Sequence, residues 1–307
     1  MSYRQTKLER AIHRDSDIEV ALRTMKSRLE LSQVETELAS YHQNLVREGI
    51  EKSLGGFQSS FLTGSYARAT AIAPLKDIDV FVIIDPRCRA DLLANGPEYC
   101  INAVRAAAAD ALRRLRDDPF PQRRSAAVTF VRSGLKVELV PAFPTNQSEV
   151  YQIADSSVNR WLFSAPRKHK ELSTKSNELS GGLLKPAIKM IKAWKRHHNL
   201  PIKSFHLEAM CYNAYHGPPK SYSHALALAF HHLAVAIQTA CPDPAGVGHE
   251  IDSDMTSRDR SIVAAELGHA ARLAAEAVQL EKGRRRDWAH NRWRRIFGEL
   301  YPRKDWG

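Results

Sequence analysis

Two aspartates separated by one residue are the strongest chemical signal in this sequence of 307 residues. Asp77 and Asp79 open an apolar run that continues to Ile84. Because side chains alternate across a β-strand, the two carboxylates project to one face and Ile78 projects to the other. Two carboxylates on one face can share divalent cations. The spacing therefore predicts a site for Mg²⁺, with Mn²⁺ as the alternative metal.

A Gly-Ser pair precedes the aspartates. Gly64 would let the backbone approach a ligand closely, and Ser65 would cap a short helix whose first N–H groups face an anion. Alone, this pair is a weak signal. Followed by Asp77 and Asp79, it predicts a site for a nucleoside triphosphate with its metal ions.

A third carboxylate is expected from a hairpin farther along the chain. Two apolar segments, 126–131 and 135–140, flank a Ser-Gly turn signal. In the second segment Glu138 lies between Val137 and Leu139, so its side chain points away from theirs. Glu138 could simply occupy the solvated face of an ordinary hairpin. The aspartate pair favours the metal role instead.

The elements that would position these residues form an α/β pattern in the first half and a helical pattern in the second. Residues from about 16 to 54 predict a long helix, with or without an interruption. Strands are expected at 57–63 and 77–85, a helix at 101–116, and helices from about 160 onward. This pattern predicts three regions: an N-terminal helical segment joined to the core (1–55), an α/β palm (56–160), and a helical lobe with a C-terminal tail (161–307).

The charge balance favours a polyanionic ligand. Lys and Arg number 45 against 34 Asp and Glu, which gives a formal charge of +11. Nucleotides, DNA and RNA all satisfy this preference. Basic runs at 282–286 and 292–295 could bind nucleic acid, although a solvated helix face explains such runs more often.

Apolar runs are too short to cross a bilayer, and the polar N-terminus has no signal-peptide core, so we expect a cytoplasmic protein without a membrane partner. The four cysteines are widely spaced, which predicts neither a disulfide framework nor a zinc site.

A lysine-rich helix is predicted at 183–195. Lys185, Lys189 and Lys192 fall at i, i+4 and i+7, so they share one face, where they could meet triphosphate oxygens. A solvated lysine stripe is the alternative. A Ser-Phe-His-Leu-Glu segment that begins at Ser204 follows this helix.

The order of these motifs resembles the cGAS/DncV-like nucleotidyltransferases (CD-NTases), which are bacterial cyclic oligonucleotide synthases of the DNA polymerase β-like superfamily. The first three motifs are typical of the superfamily, and the later ones are typical of the CD-NTase branch. The motifs are Gly-Ser-Tyr-x-Arg-x-Thr from Gly64, Asp-Ile-Asp-Val from Asp77, Glu-x-Val-Pro from Glu138, Ile-Lys-Ala-Trp from Ile191, the Ser204 segment, the Asp243-Pro244 turn, and Trp293 to Gly298.

The resemblance implies a polymerase β-like palm of the α/β (α+β) class, with a long N-terminal helix, packed on a C-terminal helical lobe of the oligoadenylate synthase type. It also implies roles for individual residues. Asp77, Asp79 and Glu138 would be the catalytic carboxylates that hold two metal ions, one at the attacking ribose hydroxyl and one at the leaving pyrophosphate. The nucleotide would be bound by Gly64, Ser65, Lys192, Ser204 and Asp243.

The implied activity is synthesis of a cyclic di- or trinucleotide second messenger from ATP and other NTPs, in antiphage (CBASS) signalling with an effector receptor for the product. The terminal Gly307 fits conjugation by a ubiquitin-transfer-like partner, and it also fits an ordinary frayed terminus. Two alternatives stay open: a transferase that modifies an RNA end or a protein, and a nucleic-acid-binding module without activity.

Two positions depart from the family pattern. Ala69 stands where members often have glycine, which removes some backbone freedom. Glu138 stands where the third carboxylate is commonly Asp, and its side chain is one methylene longer.

Overall fold

The aspartate strand lies inside a mixed sheet. The computed structural model describes residues 17–112, 120–130 and 132–303. In these ranges the sheet has seven strands in the order β1-β2-β5-β4-β3, and β6 pairs with β5 and with β7. Strands β2 and β5 run parallel, and the other pairs are antiparallel. The strands are β1 (Phe57–Thr63), β2 (Asp77–Ile84), β3 (Phe120–Pro121), β4 (Ala126–Phe130), β5 (Leu135–Pro144), β6 (Tyr151–Asp155) and β7 (Arg160–Ser164).

Helices precede, interrupt and follow the sheet in the chain. They are α1 (Asp17–Arg28), α2 (Gln33–Ser53), α3 (Gly64–Ala67), α4 (Ala90–Ala94), α5 (Pro97–Leu112), α6 (Pro166–Leu179), α7 (Leu184–His197), α8 (Ser204–Cys211), α9 (Tyr222–Ala236), α10 (Ser257–Lys282) and α11 (Arg286–Phe297), and a 3₁₀ turn follows at Gly298–Leu300. Of the expected helix at 101–116, the part beyond Leu112 lies outside the described residues.

The long N-terminal helix is interrupted. Helix α1 ends at Arg28, and α2 begins after Ser32, whose hydroxyl accepts a hydrogen bond from the Glu35 amide at 3.2 Å. The Ser32 amide in turn donates to Glu35 Oε2 at 2.8 Å. This capping box satisfies two helix-end groups at once and starts a new helix at this point.

The domain ranges expected from the sequence stay a prediction, and compact packing groups the described residues in another way. One unit, here called the helical unit, contains the described parts of Met1–Leu29, Leu179–Thr239 and Met255–Gly307. The other, here called the sheet unit, contains Glu30–Glu178 and Ala240–Asp254. Helices α1 and α2 therefore belong to different units, although they are neighbours in the chain.

One face of the sheet forms the main core of the sheet unit. Residues of β2 and β5 that alternate with the carboxylates pack against apolar side chains of α2 and α5. This alternation places the carboxylates on the opposite face. The packed residues include Ile78, Val80, Val137 and Leu139 from the strands and Val46, Ile50, Val104 and Ala108 from the helices.

The prediction of helices from about residue 160 onward was wrong for its first residues. Strands β6 and β7 form a hairpin in which Ile153 pairs with Leu162, and both side chains are buried. Each strand has only five residues, so its alternation of apolar and polar side chains is a short signal that is easily missed.

The core of the helical unit contains a cluster of aromatic side chains. Trp194 of α7 packs edge-on against Phe230 of α9, with ring centroids 5.2 Å apart. Phe297 of α11 contacts Phe230 and stacks on Trp293. Among the described residues, no helix combines the length and the apolar character needed to span a bilayer.

Candidate active site

The three predicted carboxylates lie on one face of two adjacent parallel strands. Asp79 of β2 and Glu138 of β5 are direct partners in the register, and Asp77 is the partner of Lys136. Since side chains on neighbouring strands at one level share a face, Asp77, Asp79, Lys136 and Glu138 form one polar patch. Farther along β2 and β5 this face is apolar and includes Phe81.

These carboxylates are close enough to repel one another. Burial, followed by repulsion from Glu138 and Asp77, raises the pKa of Asp79 to about 6, although Arg68 and Lys136 oppose the shift. A divalent cation would relieve this repulsion, and oxygen ligands of this type are what Mg²⁺ prefers. In the described ranges, however, no three His, Cys, Asp or Glu side chains are gathered closely enough to hold a metal ion. Asp77, Asp79 and Glu138 are the right type of ligand for Mg²⁺ and lie on adjacent strands. Their carboxylates, however, do not converge on one point.

The Glu138 carboxylate is surrounded by an ammonium group and hydrogen-bond donors. The Lys136 ammonium lies 2.5 Å from Oε1, and the Ser125 hydroxyl donates to Oε2 at 3.3 Å. With its amide nitrogen turned toward the carboxylate, Gln122 donates to both oxygens, at 3.1 and 3.2 Å. Glu138 therefore does not lie on the open solvated face that the alternative reading of the hairpin requires.

Gly64 makes room for a carboxylate. Its φ is +66°, and a Cβ built there would overlap Asp79 Oδ2. The sequence suggested that Gly64 allows close approach of a ligand. The structure places Asp79 in that space, so the absence of a side chain at residue 64 allows Asp79 to occupy its position.

Ser65 does not cap the short helix, contrary to our expectation. The N-cap position of α3 is Thr63, which makes no side-chain capping bond, and Ser65 lies inside the first turn. The Ser65 carbonyl accepts hydrogen bonds from the amides of Thr70 and Ala71, at 2.9 and 3.1 Å. The chain must turn sharply to make these bonds, and Ala69 adopts a φ of +57° there. The family preference for glycine before Thr70 thus has a conformational basis.

A cationic cavity of about 310 Å³ opens beside Gly64. Its lining includes Arg68, Arg167 and Lys170 and contains no acidic residue. The Arg167 guanidinium lies 4.5 Å from the centroid of the Phe61 ring and forms an ion pair with Glu149 at 2.9 Å. Positive charge along an otherwise largely apolar wall suits an anionic ligand with a flat apolar part.

The predicted phosphate ligands of the helical unit have different environments. Lys192 is buried, and its ammonium lies 2.6 Å from Glu208 Oε2. Lys189 is also buried, so α7 does not carry the solvated lysine stripe that was the alternative. Ser204 is exposed at the first residue of α8. Contact of Lys192 and Ser204 with a triphosphate stays a prediction.

Asp243 holds a turn in the sheet unit. One carboxylate oxygen lies 2.5 Å from His169 Nε2, and the other accepts hydrogen bonds from the Val247 and Gly248 amides at 3.2 and 2.9 Å. Burial favours the neutral acid, but these bonds outweigh it and lower the pKa of Asp243 to about 2. Its contact with a nucleotide stays a prediction.

The C-terminal basic runs are divided between two uses. Arg284, Arg285 and Arg286 are exposed, whereas Arg292 forms an ion pair with Glu276 at 2.6 Å. Gly307 lies outside the described residues.

Sequence reasoning missed four residues that shape the site. Lys136 could have been found, since it lies two residues before Glu138 on the same strand. Arg68 was part of a recognised motif but received no role. Gln122 and Ser125 come from the segment before β4, and no pattern in the sequence connects that segment to the carboxylates.

Comparison with known proteins places the chain in a family. Residues 17–177 match the model of the Second Messenger Oligonucleotide or Dinucleotide Synthetase domain, SMODS. The cyclic AMP-AMP-AMP synthase of an Acinetobacter species is 23% identical over 263 residues, which cover 80% of this chain and 73% of that protein.

Solved structures share the fold. The structure of the CdnC:HORMA-deltaN complex of Escherichia coli MS115-1 contains a chain with a TM-score of 0.74 at 18% identity, covering 94% of this chain and 99% of that one. The CD-NTase CdnG of Bradyrhizobium diazoefficiens, in complex with GTP, has a TM-score of 0.74 at 13% identity, covering 93% and 97%. At such identities the likeness concerns the fold alone. The family match extends over more than half of the chain, from α1 through the carboxylate strands into α6, and this protein therefore belongs to the SMODS family.

Proposed function

We propose that this protein is a metal-dependent nucleotidyltransferase that joins NTPs into a cyclic di- or trinucleotide, releases pyrophosphate, and serves antiphage (CBASS) signalling. The observation that carries the proposal is the carboxylate face, on which Asp77, Asp79 and Glu138 occupy adjacent parallel strands at matching levels. Family membership and the product named for the Acinetobacter relative support a cyclic oligonucleotide.

Asp77, Asp79 and Glu138 are the residues that would hold Mg²⁺, or Mn²⁺ in its place. When bound, the metal supplies Lewis-acid activation of a ribose hydroxyl and neutralises charge on the leaving pyrophosphate. Binding and orientation of the NTP are assigned to this chain's own groups. The Gly64-Ser65 turn would bind phosphate oxygens. Lys192 and Ser204 would do the same, which for Lys192 requires sharing its ammonium with Glu208.

The cationic cavity beside Gly64 supports a nucleotide substrate in particular. Arg68, Arg167 and Lys170 supply positive charge for phosphates, and Phe61 supplies an apolar surface. ATP and GTP are the first substrates to test, because the Acinetobacter relative is named for an adenine product and CdnG was solved with GTP. A receptor for the product is the expected downstream partner. Conjugation at Gly307 stays a prediction.

The activity is tested with the full chain, Mg²⁺ and each NTP labelled at the α-phosphate. We expect a small labelled product that resists phosphatase, together with released pyrophosphate, and we expect a chelator to stop both. Replacing Asp77 and Asp79 together by Ala should abolish the product. Asp91→Ala is the matched control, since Asp91 pairs with Arg89 on the surface of the same unit and should leave the product unchanged.

Two results would overturn the proposal. Label that appears only on added RNA or protein would indicate a transferase with a polymeric acceptor. Product formation that survives loss of both Asp77 and Asp79 would refute the assigned site.

A further inference from the structure

The Glu138 carboxylate has no vacant acceptor position. A carboxylate offers about four lone-pair sites. Lys136 and Ser125 each take one, and Gln122 takes two with its amide nitrogen turned toward the acid. A metal ion that binds Glu138 must therefore displace at least one of these donors.

Lys136 is the donor that suits displacement. An ammonium group and a divalent cation repel each other, so the two cannot share one carboxylate without an energetic penalty. Gln122 and Ser125 are neutral, and their hydrogen bonds to a carboxylate are compatible with a metal on its remaining lone pairs. Such outer contacts commonly orient metal-binding carboxylates.

Once displaced, the Lys136 ammonium can move into water. The side chains of Lys136 and Glu138 are 26% and 20% exposed, so the pair is neither dry nor enclosed. Lysine carries its charge on a flexible stem of four carbons and keeps its hydration when it moves outward. An ion pair of this kind contributes little to stability.

We propose that Lys136 is a positioning residue that neutralises Glu138 in the metal-free protein and is exchanged for the metal ion, while Gln122 and Ser125 keep the carboxylate on the site. This proposal rests on the proposed function, because it takes Glu138 as a metal ligand. It also gives a reason why the three carboxylates are not gathered around one point, because Glu138 forms an ion pair with Lys136.

The test is the affinity of the full chain for Mn²⁺, measured by electron paramagnetic resonance without nucleotide at about 0.15 M salt, where exposed charges are screened beyond about 8 Å. Lys136→Met should tighten Mn²⁺ binding about three- to tenfold, because the competitor is gone. The control is Lys76→Met. Lys76 is exposed, and its carbonyl accepts the Lys136 amide at 2.9 Å, so it lies at the same level of the sheet. Its loss should change the affinity less than about twofold.

Lys136→Arg should have the opposite effect on the affinity for Mn²⁺. A guanidinium can bind a carboxylate through two N–H groups and is harder to displace, so Mn²⁺ binding should weaken. Weaker binding in Lys136→Met, or equal affinity in both variants, would overturn the proposal. Failure of the proposed function gives another pattern, in which loss of Asp77 and Asp79 leaves Mn²⁺ binding intact.

Discussion

Two lysine–glutamate pairs of nearly equal length lie in opposite environments. Lys136 Nζ and Glu138 Oε1 are 2.5 Å apart in the sheet unit, and Lys192 Nζ and Glu208 Oε2 are 2.6 Å apart in the helical unit. The first pair is 26% and 20% exposed, and the second is 5% and 0% exposed. The distance does not distinguish the two pairs, but access to water does.

The difference in exposure to water decides which pair can change partners. Water can solvate either member of the partly exposed pair when it separates, so this is the pair that we propose to exchange Lys136 for a metal ion at Glu138. Separation of the buried pair would break an ion pair in the interior, where water cannot solvate the two charges. Tyr212 adds a further hydrogen bond to Glu208 Oε1 at 3.2 Å, which fixes the carboxylate more firmly. Under our proposal, the same residue types form an exchangeable pair in one unit and a fixed pair in the other.

The largest expected effect is on the fixed pair. Glu208→Ala removes the partner of the buried Lys192 and should lower the free energy of unfolding by about 3–5 kcal/mol, read from urea denaturation. Glu138→Ala serves as the control and should lower it by less than about 1 kcal/mol, because Lys136 is partly exposed and water can solvate it once Glu138 is gone. Equal losses in the two variants would contradict the distinction by burial.

The second prediction concerns the space at Gly64 that the Asp79 carboxylate occupies. Gly64→Ala places a Cβ on Asp79 Oδ2 and forces a residue with a side chain to φ +66°, so it should cost about 2 kcal/mol or more and weaken Mn²⁺ binding. Gly134→Ala is the matched control, since Gly134 has a φ of +68° with nothing within 4 Å of the added Cβ. It should cost about 1 kcal/mol and leave Mn²⁺ binding unchanged. Identical behaviour of the two variants would show that Asp79 does not need the space.

The carboxylate face was predictable because its signals are local. Alternation placed Asp77 and Asp79 on one side of a strand, and the apolar flanks of Glu138 placed that residue on a second strand. The fold class followed from the same motifs and is confirmed by the structure and its neighbours. Strand β1 was also predicted with the bounds that the structure has, Phe57–Thr63.

The partners of these residues could not be predicted, because they depend on packing between distant segments. Lys192 is sixteen positions from Glu208, and burial rather than spacing decides that they pair. Gln122 reaches Glu138 only because β4 and β5 fold into a hairpin that brings its segment alongside. The contact of Gly64 with Asp79 could not be predicted for the same reason, since the carboxylate that occupies this space lies on another strand.

Asp243 is a third carboxylate with a close partner. It tests whether burial determines how much such a pair contributes to the free energy of unfolding. Asp243 and His169 have side chains 6% and 11% exposed, which places them nearer to the fixed pair. The pKa of Asp243 is lowered to about 2, so its bonds contribute stability above the unfolded value near 4, and that stability is lost as the pH falls toward 2.

Asp243→Asn removes this titrating group. The unfolding free energy of the wild type should therefore fall by about 2 kcal/mol more than that of Asp243→Asn between about pH 5 and pH 2, measured by urea denaturation at each pH. Other carboxyls with lowered pKa values, such as Asp155, are present in both proteins and cancel in the difference. Parallel pH profiles would place Asp243 with the exchangeable pair instead.

The smallest expected effect is the most informative about exchange. Lys136→Met should change the free energy of unfolding by less than about 1 kcal/mol without metal, since the pair it breaks is partly exposed to water. With saturating Mn²⁺ the same variant should be stabilised more than the wild type, because the stabilisation that a ligand gives the folded state grows with the logarithm of its affinity. A tenfold tighter site corresponds to about 1.4 kcal/mol. Thermal unfolding with and without Mn²⁺, compared with Lys76→Met, separates this gain from a general effect of charge. If Lys136 merely supported the fold, its replacement by Met would instead lower the free energy of unfolding equally with and without Mn²⁺.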